Sequence, residues 1–210
     1  MRSAFARVAE TLGRARRFAD LWRFLVCVVF YQAGIQTVVA IAAVYAQEVM
    51  GFTTRDTLTL ILVVNVTAAA GAFAFGHVQD RIGHVRTLVI TMLGWLTAVV
   101  LAWMAESTTM FWVVANLVGV CMGSSQSAGR ALVGYLSPPA RTAEFFGLWG
   151  LAVKLSAILG PMTYGLVTWM TLGNHRFAML VTGVFFVIGL AILAGLDVAR
   201  GRRAALEPKN

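Results

Sequence analysis

The chain has 210 residues, of which 59% are hydrophobic and only 12% charged, and its mean hydropathy is +0.78. This composition excludes an ordinary water-soluble domain, which needs far less apolar surface. The formal net charge of +8 invites a nucleic-acid interpretation. However, the arginines are sorted by loop, as membrane topology requires and nucleic-acid binding does not.

Six apolar segments follow one another along the chain, each long enough to cross a bilayer. A hydrocarbon core about 30 Å thick needs about 20 apolar residues per helix. We therefore predict an all-α integral membrane protein with transmembrane helices at residues 22–46, 57–77, 87–104, 110–130, 145–169 and 176–196. These spans make residues 22–196 a single membrane domain.

The flanking segments are basic. For residues 1–21, an interfacial amphipathic helix and a frayed polar linker both fit the sequence. Residues 197–210 are predicted to be a basic tail. The loops that would share a side with these ends hold four further arginines, whereas the opposite loops hold only Arg55 and Arg176. This bias predicts that both termini lie in the cytoplasm.

Polar side chains interrupt the first two apolar segments near their centres. Gln32 and Gln36 share a face of the first helix, and Asn65 lies near the centre of the second. Polar groups inside a bilayer are costly and usually face the interior of the bundle. We take these three residues as candidate substrate contacts, with hydrogen bonding between helices as the alternative.

The loop between the second and third helices carries the string GHVQDRIGHVR, residues 76–86. Its glycines allow the helix ends to close tightly, Asp80 can accept from a helix N-terminus or an arginine, and Arg81 can reach a carboxylate across the bundle. An ordinary basic turn is the alternative interpretation.

The fourth helix presents one small and polar stripe. Its members recur every three or four residues: Asn116, Gly119, Gly123, Ser127 and Arg130. Such a stripe admits either a close neighbouring helix or water. The glycines favour packing, whereas Asn116 and residues 124–126 favour a cavity, so Asn116 and Gln126 join the candidate substrate contacts.

The fifth helix contains Lys154, a formal charge well inside a span. A lysine there can hold a substrate carboxylate or phosphate, or its stem can extend to the interface. Gly160 and Pro161 interrupt the same helix, and the freed carbonyl makes this a candidate hinge.

Four charged residues mark the predicted cytoplasmic ends of helices two to five: Asp80, Arg81, Arg130 and Glu144. Ion pairs among them can act as a latch that opens and closes with transport, or as static pairs. The histidines lack ligand spacing, and we find no paired intramembrane carboxylates and no nucleophile motif. We therefore predict no metal site, no cofactor and no enzymatic activity.

The loop string resembles the signature of the major facilitator superfamily. Five positions match, and only the first of the closing basic pair departs, being Val85: the matching residues are Gly76, Asp80, Arg81, Gly83 and Arg86. The resemblance implies one half of a twelve-helix bundle, built from two inverted three-helix repeats.

Residues 123–161 resemble one branch, the bacterial "unknown major facilitator" group, which is similar to the vacuolar amino-acid effluxers of fungal autophagy. The matching features are Gln126, Arg130, the run Glu144-Phe145-Phe146-Gly147, Lys154 and Gly160-Pro161. The first helix resembles that branch's seventh. The resemblance covers residues 20–196 and implies a C-terminal half in a bacterial inner membrane.

One departure concerns the first helix, where the family commonly carries an acidic residue beside the asparagine that follows the tyrosine. This sequence reads Tyr31, Gln32, Ala33, Gly34. A neutral glutamine cannot take up and release a proton, so proton coupling through this helix is in doubt.

Two functions fit the sequence. The first is a half-size secondary transporter of a small, amino-acid-like solute, working as a dimer or with a separate partner half, because six helices alone leave polar faces toward lipid. The alternative is a non-transporting membrane subunit that stabilises or assembles a larger complex. In both cases the partners are the bilayer and other membrane chains, and not nucleic acid.

Overall fold

The computed structural model describes residues 18–206 and is almost entirely helical. Within residues 18–206, six long helices are followed by one short one, and a single 3-10 turn, Pro139–Arg141, precedes the fifth. Their bounds are α1 Ala19–Glu48, α2 Thr54–Ile82, α3 His84–Met104, α4 Thr108–Leu136, α5 Thr142–Met170, α6 His175–Ala194 and α7 Val198–Leu206.

The six predicted spans are confirmed, since α1 to α6 are each long and apolar enough to cross a membrane. Most of the helices extend beyond the predicted limits, because their ends carry polar turns that hydropathy alone leaves out. α2, for example, begins with a reciprocal cap in which Thr53 and Asp56 each accept from the other's backbone N–H. At its other end, only Gly83, at φ +85°, separates α2 from α3.

The helices pack as two inverted three-helix repeats. The most extensive contacts join α1 with α5 and α2 with α4. Next, α3 packs against α4, and α6 packs against α1. α3 and α6 also contact each other. Exchanging α1, α2 and α3 with α4, α5 and α6 maps these contacts onto one another. Because α1 and α4 run in opposite directions, the repeats are inverted, as expected for half of a major-facilitator bundle.

Glycines hold both close pairs together. A Cβ atom on Gly123 of α4 would lie 1.8 Å from the carbonyl oxygen of Ala68 on α2, and one on Gly160 of α5 would lie 2.2 Å from that of Ala33 on α1. Gly119 meets α2 in the same way. The packing interpretation of the glycine stripe is therefore confirmed: these positions let two backbones touch.

The predicted basic tail is partly a helix. α7 lies across the ends of α1 and α4, where Gly201 and Ala205 are buried. A Cβ on Gly201 would come within 2.7 Å of Leu136 and 3.0 Å of Asp20, so only a small residue fits. We call this end of the bundle, which holds the start of α1, the α7 end. The proposed interfacial helix in residues 1–21 lies largely outside the described residues, although Ala19 to Leu21 already belong to α1.

A network of hydrogen bonds fastens α7, and we call Asp20, Asp197 and Arg200 the α7 anchor. Asp20 is only 3% exposed, and its carboxylate accepts two bonds of 2.7 Å from Arg200 and one of 3.2 Å from the backbone N–H of Asp197. The hydrogen bond to Asp20 raises the pKa of the Arg200 guanidinium above its ordinary value. Nearby, Arg23 donates to the carbonyl of Gly195 at the end of α6.

The centre of the bundle is packed with large side chains. Trp95 stacks on Phe186 with ring centroids 5.6 Å apart, and Phe186 fills the space over Gly34. Cys27 and Cys121 are both buried and form no disulfide, and the Cys27 thiol donates to the carbonyl of Gly189 at 3.2 Å.

Candidate functional site

A group of polar side chains without partners lies where α1, α4 and α5 meet. Gln32 is fully buried, and neither its amide nitrogen nor its amide oxygen has a hydrogen-bond partner. The hydroxyl of Tyr31 is equally buried and also unpartnered. It reaches α4 at Gly129, where a Cβ would come within 2.5 Å of the hydroxyl oxygen.

Trp149 completes this group from α5. Its indole N–H is buried without a partner, and both it and the Gln32 amide lie beside the Tyr31 hydroxyl without reaching hydrogen-bonding geometry. The guanidinium carbon of Arg130 lies over the Trp149 ring, 5.3 Å from its centroid. We call Tyr31, Gln32, Arg130 and Trp149 the polar cluster.

The unpartnered atoms of the polar cluster are energetically costly. A buried donor or acceptor without a partner costs about 1–3 kcal/mol, and such groups are rare in folded proteins. Four of them lie together here: the Tyr31 hydroxyl, both amide atoms of Gln32 and the Trp149 nitrogen. An arrangement of this kind is suited to accept a polar group that the chain itself does not provide.

Two cations of α4 and α5, one of them a member of the polar cluster, have no counter-charge among the described residues. Arg130 and Lys154 are exposed, and neither has a carboxylate within 4 Å among residues 18–206. Ser156 donates to the carbonyl of Val29 at 2.9 Å, which places Lys154 at the level of α1 just before Tyr31. Both cations are thus on the α7 side of Gln32.

The other predicted substrate contacts are distributed differently. Gln36 and Gln126 are half-buried. Asn65 and Asn116 donate at 2.8 Å to carbonyls of their own helices one turn earlier, so their amide nitrogens are satisfied locally. Ser124 and Ser125 are buried and donate to carbonyls within α4, and Ser125 also accepts a hydrogen bond of 3.4 Å from the indole N–H of Trp95 on α3.

A separate apolar cavity of about 250 Å³ lies toward the opposite end, between α1, α2 and α4. Two polar side chains line it, Asn65 and Tyr45, and the Tyr45 hydroxyl is already engaged with the carbonyl of Ala102 at 2.9 Å. Asn65 therefore belongs to this cavity, while Gln32 belongs to the polar cluster.

The signature loop occupies the α7 end. Gly76 and Asp80 line an open pocket of about 410 Å³ with Ser127 of α4, and Gln79 lies 2.6 Å from the Nδ1 atom of His84. Arg81 and Arg86 are exposed.

The four latch candidates are not paired with one another. Among the described residues, no ion pair joins Asp80, Arg81, Arg130 and Glu144, and all four side chains are exposed. The arrangement leaves them free to meet charges on another chain.

The candidate hinge lies inside a continuous helix, since α5 runs through Pro161 from Thr142 to Met170. The neighbouring Gly160 serves the contact with α1. Among the described residues, no three His, Cys, Asp or Glu side chains lie close enough to hold a metal ion.

Sequence reasoning missed two members of the cluster, Tyr31 and Trp149. Both are aromatic residues that count as apolar in a span, although each carries a polar atom that needs a partner when buried. Arg130, a residue of the predicted latch, has its guanidinium over the Trp149 ring. A search for polar aromatic atoms at the depth of Gln32 would have found Tyr31 from its position alone.

Comparisons with known proteins agree on the family. Residues 1–206 match the model of the "Vacuole effluxer Atg22 like" family. The chain is 28% identical over 192 residues to the uncharacterised MFS-type transporter YxiO of Bacillus subtilis, covering 91% of this chain and 44% of that protein. It is 28% identical over 210 residues to autophagy-related protein 22 of Kluyveromyces lactis, covering 94% and 42% respectively.

The fold is similar to that of a solved transporter. A bacterial homologue of the human lysosomal transporter Spinster, in an inward-facing and unoccupied conformation, matches with a TM-score of 0.66 at 15% identity, over 95% of this chain and 52% of that one. The chain thus spans about half the length, or somewhat less, of the proteins it matches. These relatives are transporters and not enzymes, and the chain belongs to the Atg22-like family of the major facilitator superfamily.

Proposed function

We propose that the chain forms one six-helix half of a secondary transporter for a small solute, and that a second six-helix unit completes the path. The second unit is another copy of this chain, a separate chain or a further part of the same polypeptide. Support for a half-bundle comes from the two inverted three-helix repeats, a fold that matches 52% of the solved Spinster homologue.

The observation that carries this proposal is the pair of exposed cations on α4 and α5. Arg130 and Lys154 have no carboxylate partner in the described part of the chain, and Lys154 lies near the middle of α5. A charge at that depth facing lipid is costly. A second unit that encloses a water-filled path between the halves removes this cost, so we expect both residues to line the path.

The transporter is proposed to lie in a bacterial cytoplasmic membrane with the α7 end inside. The arginine bias between loops supports this orientation. Single introduced cysteines at Arg55, in the first turn of α2, and at Arg141, in the turn before α5, are probed with an impermeant thiol reagent on whole cells to test it. Labelling at residue 55 alone is expected, and labelling at residue 141 alone contradicts the orientation.

The association is tested on protein purified from its native membrane in mild detergent and in lipid. We expect a particle with at least two six-helix units, either a homodimer or a complex with one separate partner. A monomer that is stable in both environments contradicts the pairing.

Transport is tested by solute uptake into proteoliposomes, with Lys154→Ala as the variant. We expect loss of uptake at normal expression, because the charge in the path is lost. The matched control is Arg141→Gln, which removes an exposed cation in the turn before α5. Equal uptake by Lys154→Ala and the unmodified protein contradicts a role for this residue in the path.

The latch is a proposal of its own. Because Asp80, Arg130 and Glu144 form no ion pair within the described residues, we expect them to pair with charges of the second unit in one state of the cycle. Asp80→Asn is expected to change the uptake rate at normal expression. A loss of expression or of melting temperature instead indicates static pairing.

The alternative, a non-transporting subunit, is favoured by one observation. The described spans hold no carboxylate near their middle, so this half has no evident proton-coupling group. Stoichiometric purification with a large complex, together with uptake that is insensitive to Lys154→Ala, supports that function over transport.

A further inference from the structure

The hydrogen-bonding capacity of the polar cluster is unbalanced toward donors. Arg130 carries five N–H donors and Trp149 one, and Gln32 and Tyr31 add three N–H or O–H groups, against two oxygens that together offer at most four lone pairs; the excess of donors comes from Arg130. The Gln32 and Tyr31 atoms and the Trp149 nitrogen are all buried without partners. A group that satisfies this set must be rich in acceptors.

The formal charges of the described helices also favour binding of an anion. The exposed cations Arg130 of α4 and Lys154 of α5 have no carboxylate within 4 Å in the described range 18–206. The acidic residues of that range all lie at helix ends or between helices: Asp20, Glu48, Asp56, Asp80, Glu106, Glu144 and Asp197. Within these six helices, a bound cation would therefore meet positive charge and a bound anion would neutralise it.

We propose that the polar cluster binds an oxyanion group of the solute, a carboxylate or a phosphate, so that this half supplies the anion-binding part of the path. Arg130 meets the group first, and the Trp149 N–H, the Tyr31 hydroxyl and the Gln32 amide donate to it. Since Arg130 covers the Trp149 ring, movement of these two side chains opens the buried donors. The inference rests on the proposed function, because it names the class of solute.

Binding is measured without transport. The protein is purified with whatever partner accompanies it and placed in nanodiscs of neutral phosphatidylcholine, and its melting temperature is followed with acetate, inorganic phosphate, acetamide and methylammonium. We expect acetate or phosphate to raise the melting temperature, and acetamide and methylammonium to have no effect. Whichever anion is effective identifies the oxyanion. Stabilisation by acetamide or methylammonium equal to that by both anions overturns the proposal.

Variants assign the effect to the cluster. Arg130→Gln is expected to weaken anion binding about tenfold or more, since it removes a charge-assisted contact. Trp149→Phe keeps the ring under Arg130 and removes only the N–H, so a smaller weakening is expected even if Arg130→Gln does not fold. Arg141→Gln, in the turn before α5, is the matched control and retains full binding. Unchanged anion binding in Trp149→Phe and in folded Arg130→Gln overturns the assignment.

Uptake into proteoliposomes separates this inference from the proposed function. Transport of neutral or cationic solutes with no anion binding overturns the inference and leaves the transporter intact. Anion binding that depends on Arg130, without uptake of any solute, overturns transport and leaves the anion site intact.

Discussion

Two polar regions of the molecule use similar side chains in opposite ways. In the α7 anchor, the buried carboxylate of Asp20 accepts two hydrogen bonds from Arg200 and one from the backbone of Asp197. In the polar cluster, the buried amide of Gln32 has no partner. The first region is complete within the chain, and the second is not.

This difference separates stabilising polar groups from functional ones. A buried polar group that is fully hydrogen-bonded holds elements together, and here it joins α7 to the start of α1. A buried group that lacks a partner lowers stability and is expected to be kept for another reason. Substitutions in the two regions should therefore change stability with opposite signs.

The largest effect is expected for Asp20→Asn, which replaces the carboxylate that accepts both Arg200 bonds. Hydrogen bonds to a charged group contribute about 1.5–3 kcal/mol, so we expect a loss of about 2 kcal/mol in the free energy of unfolding. The measurement is thermal denaturation in detergent. Asp80→Asn is the control, because Asp80 is exposed and has no ion pair among the described residues. Equal free energies of unfolding for the two variants would contradict a structural role for the α7 anchor.

The next effect has the opposite sign. Gln32→Met replaces an unpartnered amide by an apolar side chain of similar size, and we expect a gain of about 1 kcal/mol in the absence of solute. The same variant should lose part of the stabilisation by anions. Gln36→Met, one turn away and half-buried, should change little. If Gln32→Met is less stable instead, the Gln32 amide has hydrogen-bond partners in the native protein. That result would contradict the contrast between the α7 anchor and the polar cluster.

A smaller gain is expected for Tyr31→Phe, which removes only the unpartnered hydroxyl. We expect about 0.5–1 kcal/mol of added stability, measured in the same denaturation assay. Tyr45→Phe is the matched control, because the Tyr45 hydroxyl donates to Ala102 at 2.9 Å. That variant should lose stability where Tyr31→Phe gains it, and identical signs would contradict the distinction between satisfied and unsatisfied hydroxyls.

The smallest effect is expected at the rim of the anchor. Arg202 donates to the carbonyl of Tyr135 at 2.9 Å and lies 4.7 Å from the centroid of its ring, but on the surface. Arg202→Gln should change the free energy of unfolding by less than about 0.5 kcal/mol. A larger loss would show that the contact with α4, as well as the one with Asp20, fixes α7.

The fold was largely predictable and the cluster only in part. Six long apolar segments determine six helices, and the spacing of Gly119 and Gly123 indicated a close helix pair. Gln32 was found because an amide inside a span is conspicuous. Its neighbours Tyr31 and Trp149 were not, because their convergence depends on how α1 and α5 pack.

α7 could not be predicted for a different reason. Its segment is short and rich in arginine and alanine, and the carboxylate that fixes it lies 180 residues earlier in the chain. Nothing local indicates that Gly201 will face Asp20. Contacts of this separation become visible only once α1 and α6 have brought their ends together.

The burial of both thiols makes the protein convenient for spectroscopy. Cys27 and Cys121 are the two cysteines of the chain, and both lie inside the bundle, out of reach of a reagent added to the folded protein. A cysteine introduced at the surface can therefore carry a spin or fluorescent label without first replacing the native ones. Distances between labelled helix ends can then be followed in otherwise unaltered protein.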